Sequence, residues 1–396
     1  MAVYDINGTN IDANSEVEIE SYYEDEMADT IAKVRTANDE PAIVFPFVTD
    51  IHRYSANIRQ SFDFMIQNMR YFSDKVKCDF LVNAGDTIDG NKTQAESLEQ
   101  AYTCAKDFLK VDLPILYAQG NHDNNPYTAN GSFSNLDFSI KQVFGGFFTN
   151  TKGVIYNTAE NGTDYYIDFP IGVRVIVLNA CNVKRAHNYA YGSATASWLT
   201  EALDTDKTVL LLEHLSSIAS QVWNNNHGTG ADGITSALTT FVNNGKNLVQ
   251  ISGHSHIDVA FVQPWLSVMN VCQKFEVANI SDAGHQKITG YVDQMHAPSR
   301  TAGTHTEDAW TVCVLKPNSK EFDCIRFGAG ADRYFHYDPI APTTLSSRLS
   351  NVTWSSSDTS VATVSNGVVT GVASGTCGIL AKDSEGNYEC WTIKVQ

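Results

Sequence analysis

The chain has 396 residues, 43% of them hydrophobic, with 17 Tyr and 19 Phe; that is material for a large core, not a disordered chain, and at ~150 residues per domain it suggests two or three units. A formal charge of −18 with no basic stripe excludes a protein that tracks nucleic acid, because phosphate-backbone binding needs clustered Lys and Arg. No run approaches the ~18 apolar residues of a membrane span, and the first thirty residues lack the basic and apolar regions of a secretory leader, so no signal peptide is expected.

Residues 1–40 read as an N-terminal segment carrying an acidic helix. Tyr23, Met27, Ile31 and Val34 fall at helical spacing, and ten acidic side chains between Asp12 and Glu40 face only Lys33 and Arg35. The run is read as a solvated helix face. From Ala42 onward, strands and helices alternate. Strands fit Ala42–Thr49, Asp79–Ala84 and Pro114–Ala118, separated by helices over Asn57–Tyr71 and Gln94–Leu109. Tyr165–Phe169, Val173–Asn179, Lys207–Glu213 and Asn247–Ile251 continue as strands, with helices over Ala194–Leu203 and Ile234–Val242. Trp310–Leu315 and Glu321–Phe327 close a hairpin-like unit. Such alternation implies a largely parallel sheet with helices on its faces, and a ligand site beyond the C-terminal strand ends.

Polar blocks stand at those strand ends: Asp50-Ile51-His52, Gly85-Asp86-Thr87-Ile88-Asp89, Gly120-Asn121-His122-Asp123, His214, and Gly253-His254-Ser255-His256. One block alone says little, since a lone His at a strand end is usually satisfied by backbone. Five in order, each after a strand, supply enough carboxylate, imidazole and amide donors for two ions that share one carboxylate. Two cations so placed lower the pKa of a bridging water and neutralise phosphate oxygens, and an imidazole beside them can protonate a departing alkoxide.

The order resembles the calcineurin-like metallophosphoesterase superfamily, whose blocks read D-x-H, G-D-x-x-D, G-N-H-D/E, H and G-H-x-H. The resemblance spans Asp50 to His256 and implies a domain over about 41–336, an α/β (α+β) β-sandwich flanked by helices with the metals at one edge. It implies that Asp50, His52 and His256 hold one ion, that Asn121, His214 and His254 hold the other, and that Asp86 bridges. It further implies that His122 is the general acid, that Asp89 orients it, and that Asp123 supports the shell. The cofactors would be two divalent or trivalent transition-metal ions, Mn, Fe, Zn or Ni. Tyr54, Asn57, Asn124 and Asn125 follow the first and third blocks and are candidates for substrate contact. His187, His227, His285, His296, His305 and His336 are read as surface or loop residues.

Around Tyr337–Pro342 the composition shifts to short Ser, Thr, Val and Gly runs. The phrases Val352-Thr353-Trp354-Ser355-Ser356 and Val361-Ala362-Thr363-Val364 resemble the bacterial Ig-like domain of group 2. This implies a small all-β C-terminal domain over 343–396, abbreviated at its start, which is expected to bind or space and to be dispensable for hydrolysis. The pairing suggests an extracellular protein, a phage tail or baseplate component before a secreted bacterial one. The expected substrate is a phosphate ester, extending to an envelope glycopolymer such as teichoic acid, with other virion proteins as partners. The competing reading is a non-catalytic structural or receptor-binding protein that retains the metal site. Among eight cysteines, Cys313/Cys324 and Cys377/Cys390 lie symmetrically about turns, so each pair is a candidate to face across a hairpin, with the redox state open.

Overall fold

The structure is a computed structural model that describes residues 3–4, 10–11, 17–53, 59–124, 153–159, 163–181, 190–218, 230–254, 256, 258–262, 265–269, 293–295 and 300–396. Tyr54, Asn57, Asn125, His187, His227, His285 and His296 lie outside the described residues.

Two sheets face each other. The nine-stranded one runs, in spatial order, Thr353–Ser356, Gly375–Lys382, Tyr388–Val395, Arg333–Ile340, Glu321–Gly328, Ala309–Lys316, Ile43–Val48, Leu81–Asn83, Ile115–Tyr117. The eight-stranded one runs Asp293–Met295, Asp258–Phe261, Leu266–Met269, Leu248–Ser252, Thr208–Glu213, Val173–Leu178, Tyr165–Phe169, Ile155–Tyr156. Each has a parallel heart. Ile43–Val48, Leu81–Asn83 and Ile115–Tyr117 are parallel in one sheet, and Val173–Leu178, Thr208–Glu213 and Leu248–Ser252 in the other.

Side-chain alternation builds the layers. Val173, Val175, Val177, Leu210 and Leu212 point into the core between the sheets, while Ile176, Leu178, Val209 and Leu211 face outward under the helices Thr195–Ala202 and Ala231–Asn243. The helices Glu24–Ala37, Arg59–Lys75 and Gln94–Leu109 pack on the other sheet, contributing Met27, Val34, Met65, Phe72 and Phe108 to the main core. Gln94–Leu109 begins where Thr93 and Glu96 form a capping box, the reason its start is legible in sequence. On Glu24–Ala37 the acidic residues Glu24, Asp25 and Asp29 are exposed, and Lys33 reaches Asp29 and Asp332.

The C-terminal all-β segment is hydrogen-bonded to the first sheet. Arg333–Ile340, which crosses the composition shift at Tyr337–Pro342, is a strand that pairs antiparallel with Glu321–Gly328 and parallel with Tyr388–Val395. The nine-stranded sheet therefore runs on into the last strands of the chain. Leu380, Tyr388 and Cys390 belong to the main core, whereas Cys377, Ile379, Ala381, Trp391 and Ile393 enclose a second, smaller core with Leu345, Val361 and Val369. Arg348 ties the junction, its Nε 3.1 Å from Glu389 Oε1 and its Nη1 3.3 Å from Asp323 Oδ2. Pro339 lies within Arg333–Ile340, near its end.

The cysteine pairs divide. Cys313 stands opposite Cys324 in register, both fully buried as free thiols. Cys377 stands opposite Ile393 and Cys390 opposite Leu380, so the second pair does not face. Lys382 pairs with Tyr388, which centres the hairpin on Glu385, whereas Cys377 and Cys390 would face only about a centre between Asp383 and Ser384.

Candidate active site

The C-terminal ends of the parallel strands from both sheets meet at one edge of the sandwich. Asp50 and His52 follow Ile43–Val48, Asp86 follows Leu81–Asn83, and Asn121 follows Ile115–Tyr117. His214 follows Thr208–Glu213, and His254 and His256 follow Leu248–Ser252.

The turns carrying them are laced together. The backbone N–H groups of Asp50, His52 and Arg53 donate to the carbonyls of Gly85, Asp86 and Thr87. Asp50, His52, Asp86, His254 and His256 all hold left-handed backbone, with φ between 47° and 68°. That conformation costs an L-residue about 1–2 kcal/mol, and its concentration here is the mark of a site that the surroundings over-determine. The motif glycines have a steric cause. A Cβ on Gly85 would strike Gly120 and the Ala118 carbonyl, one on Gly120 would strike the Asp86 backbone, and one on Gly253 would strike Thr49 and the Asp50 carboxylate.

Asp123 gathers the first sheet's turns. Its Oδ2 accepts from Asp86 N–H and Gly120 N–H, both at 2.9 Å, and from the Tyr117 hydroxyl at 2.6 Å, while Oδ1 accepts from Thr87 N–H at 2.8 Å. Burial and the nearby Asp86 carboxylate push its pKa up to about 6. Thr49 and Tyr117 escaped the sequence reading. Thr49 donates to Asp50 Oδ2 at 2.7 Å. Its polar character at a strand end was a usable signal, whereas Tyr117 looked merely apolar.

Donor atoms converge in three groups: Asp50, His52 and His256; His52, Asp86 and His122; and Asp86, His214 and His254, with the atoms of each group within 4.8 Å of one another. His256 Nε2 lies 3.1 Å from Asp50 Oδ1. His214 joins the sheets. Its Nδ1 is 2.7 Å from the Ala84 carbonyl, a contact only an N–H can satisfy. In the neutral ring the proton therefore sits on Nδ1. The Nε2 lone pair then confronts Asp86 Oδ2 and Asn121 Oδ1, each at 3.2 Å. A lone pair facing two oxygens is repulsive unless a cation or an added proton lies between them. His52 makes the same point. Its Nε2 is buried without a hydrogen bond, 3.8 Å from Asp86 Oδ2. This nitrogen and oxygen donor set fits borderline transition-metal ions.

Burial and charge act on the three imidazoles in different senses. Burial depresses His52 to about 4, and burial together with the His214 charge depresses His254 to about 3, so both rings are neutral donors at pH 7. Burial opposes protonation of His214, but the Asp86 and Asp50 carboxylates outweigh it and raise its pKa to about 9. Burial likewise raises the Asp50 and Asp86 carboxyls, and the imidazoles around them outweigh it, holding both well below the usual range.

His122 sits beside this cluster, half-buried, with its N–H donating to Asp86 Oδ1 at 2.7 Å. Asp89 contacts it differently from expectation. The main-chain carbonyl of Asp89 meets His122 Nδ1 at 2.7 Å, while the Asp89 carboxylate lies 3.3 Å from His52 Nδ1.

A profile of the calcineurin-like phosphoesterase family matches residues 44–258, and one of the bacterial Ig-like domain (group 2) matches residues 340–392. Among solved structures, a dimetal phosphatase from Danio rerio is similar at 13% identity, covering 74% of this chain and 99% of its own, with a TM-score of 0.51. The structure of PhoD is similar at 12% identity over 90% of this chain and 72% of its own, with a TM-score of 0.44. No curated protein matches. The family match covers more than half of the chain, and the donors it requires converge at the strand ends. The chain belongs to the calcineurin-like phosphoesterase family and is a metal-dependent phosphoesterase with a dinuclear site.

Proposed function

We propose that this chain hydrolyses phosphate esters with two transition-metal ions held by seven side chains. Asp50, His52 and His256 hold one ion, Asn121, His214 and His254 the other, and Asp86 is shared. The observation that carries this assignment is His214, whose Nδ1 is taken by the Ala84 carbonyl while its Nε2 converges with Asp86 Oδ2 and Asn121 Oδ1, each at 3.2 Å. The ions, when bound, lower the pKa of water at the site and neutralise charge on the phosphate oxygens.

His122 supplies the proton. The Asp89 carbonyl holds its Nδ1–H, which leaves Nε2, 4.0 Å from Asp86 Oδ2, as the nitrogen that protonates the leaving alkoxide. Asp89 thus orients His122 through its main chain, and its carboxylate serves His52. Asp123 holds the Asp86 and Gly120 turns at the spacing that sharing one carboxylate requires.

The test is hydrolysis of p-nitrophenyl phosphate and its bis ester by chelator-treated protein resupplied with Mn, Zn, Ni or Fe. Chelation should abolish turnover and at least one metal should restore it. Turnover indifferent to chelation, or absent with every metal, would contradict the proposal.

The substrate is proposed to be extracellular, a cell-envelope glycopolymer such as teichoic acid, with the chain acting as a phage tail or surface protein. Two features support this: the Ig-like match at 340–392 and the charge of −18, which disfavours a bare polyanion at long range relative to a polymer made zwitterionic by cationic substituents. Turnover of purified teichoic acid no faster than that of the bis ester would remove the support.

A further inference from the structure

The first sheet's turns are gathered by the buried carboxylate of Asp123. The second sheet has a counterpart that the motifs do not contain. Glu213 immediately precedes His214, is fully buried, and points to the outer face of its sheet. Its Oε1 accepts from the Tyr191 hydroxyl at 2.9 Å. Its Oε2 accepts from Ser217 N–H at 3.0 Å and from the Gln250 side-chain amide on the neighbouring strand. Gln250 is fixed in turn, because its Oε1 accepts from Trp265 Nε1 at 3.0 Å. The amide must therefore present its NH2 to Glu213, and the direction of the chain is set.

We propose that Glu213 is a positioning residue for the Asn121, His214 and His254 half of the site. Two connections carry this. The Ser217 bond closes the turn directly after His214, so the path of the chain on both sides of that imidazole is held. The Gln250 bond clamps the end of Thr208–Glu213, which carries His214, to the middle of Leu248–Ser252, the strand that leads to His254. Gly253 N–H donates to the His214 carbonyl at 3.1 Å, so a shift of one turn is transmitted to the other. Among the described residues, Asp50 and His52 receive no hydrogen bond from this network, and their backbone is held by the Gly85–Thr87 lacing instead.

The inference rests on the proposed metal site, and its test reads metal affinity in the full-length chain rather than turnover. Mn and Zn binding are titrated calorimetrically in wild type, Glu213→Leu and Glu213→Gln. Glu213→Leu removes the acceptors at similar volume, and should weaken one of the two binding events by about 10- to 100-fold, the effect expected of residues that orient metal-binding side chains. The other event should stay within about threefold. Glu213→Gln keeps an acceptor for Ser217 and Gln250 while the Tyr191 hydroxyl reverses, and should bind within about threefold of wild type at both positions. Should Glu213→Leu fail to fold, Gln250→Met cuts the same clamp from the other strand and should show the same one-sided loss. Equal weakening of both events, unchanged binding in the folded clamp variants, or a Glu213→Gln loss as large as that of Leu would overturn the assignment. A wild-type chain that binds no metal would overturn the underlying site as well, which separates the two failures.

Discussion

Left-handed backbone occurs at two ends of this molecule for opposite reasons. At the catalytic edge the residues are Asp50, His52, Asp86, His254 and His256, and near the C-terminus they are Asn351 and Asn366. Asn tolerates this conformation because its short polar side chain bonds locally, so in the C-terminal region the turn selects the residue. Aspartate and histidine also visit this conformation, but here the carboxylates of Asp86 and Asp50 bond to the distant backbone of His122 and His254 and not to their own turns. At the catalytic edge the side chain is fixed by its chemistry and the backbone is bent to deliver it. The surrounding bonds, from Asp123 and from the Gly85–Thr87 lacing, hold that bend in place. Polar strand-end turns are thus cheap where the sequence may choose the residue, and need a scaffold where it may not.

The comparison can be broken most severely by removing the C-terminal region. A chain ending at Pro339 loses the strand that pairs with Arg333–Ile340 and opens the core at Leu380, Tyr388 and Cys390. It should be insoluble or lack a cooperative thermal transition. A soluble truncated chain with full metal content would show instead that the two ends are energetically independent. Next in size, Asp86→Ala should lose both ions and all turnover together, as read by metal analysis and ester hydrolysis, since Asp86 faces both donor groups. Retention of one tightly bound ion would show that Asp86 is not shared. His122→Gln should keep both ions and slow alkyl-ester hydrolysis by about 100- to 10,000-fold, with a smaller loss on p-nitrophenyl esters, whose leaving group needs no proton. Equal losses on the two substrates would argue against proton delivery. The smallest effect is the sharpest contrast. Asn366→Gly should shift stability by no more than a few tenths of a kcal/mol, because glycine accepts positive φ. His254→Gly accepts the same backbone and should nevertheless lose metal, and normal metal content in that variant would erase the distinction between the two ends.

Much of this was legible because the local signals agree with the fold. The apolar runs ending at Asp50, Asp86, Asn121, His214 and His254 are strands that do end there, and the capping box at Thr93 marks a helix start. The donors were readable because their side-chain chemistry is rare at such positions. What was not legible depends on contacts distant in sequence. Tyr117 and Glu213 sit in strands whose patterns look ordinary, and their bonds to Asp123, Ser217 and Gln250 exist only after the sheets assemble. The continuity of the sheet into the C-terminal strands is a parallel pairing of Arg333–Ile340 with Tyr388–Val395, separated by some fifty residues, and a composition change between them conceals it. The Cys377 register escaped because it turns on the length of one loop.

The central claim is that two ions sit between these turns with Asp86 common to both. Anomalous scattering from crystals of protein purified without chelator, collected at the absorption edges of the metals found, tests it directly. The account predicts two peaks ~3.5–4 Å apart, one beside Asp50, His52 and His256, the other beside Asn121, His214 and His254, with the Asp86 carboxylate between them. A single peak, or peaks away from Asp86, would contradict it.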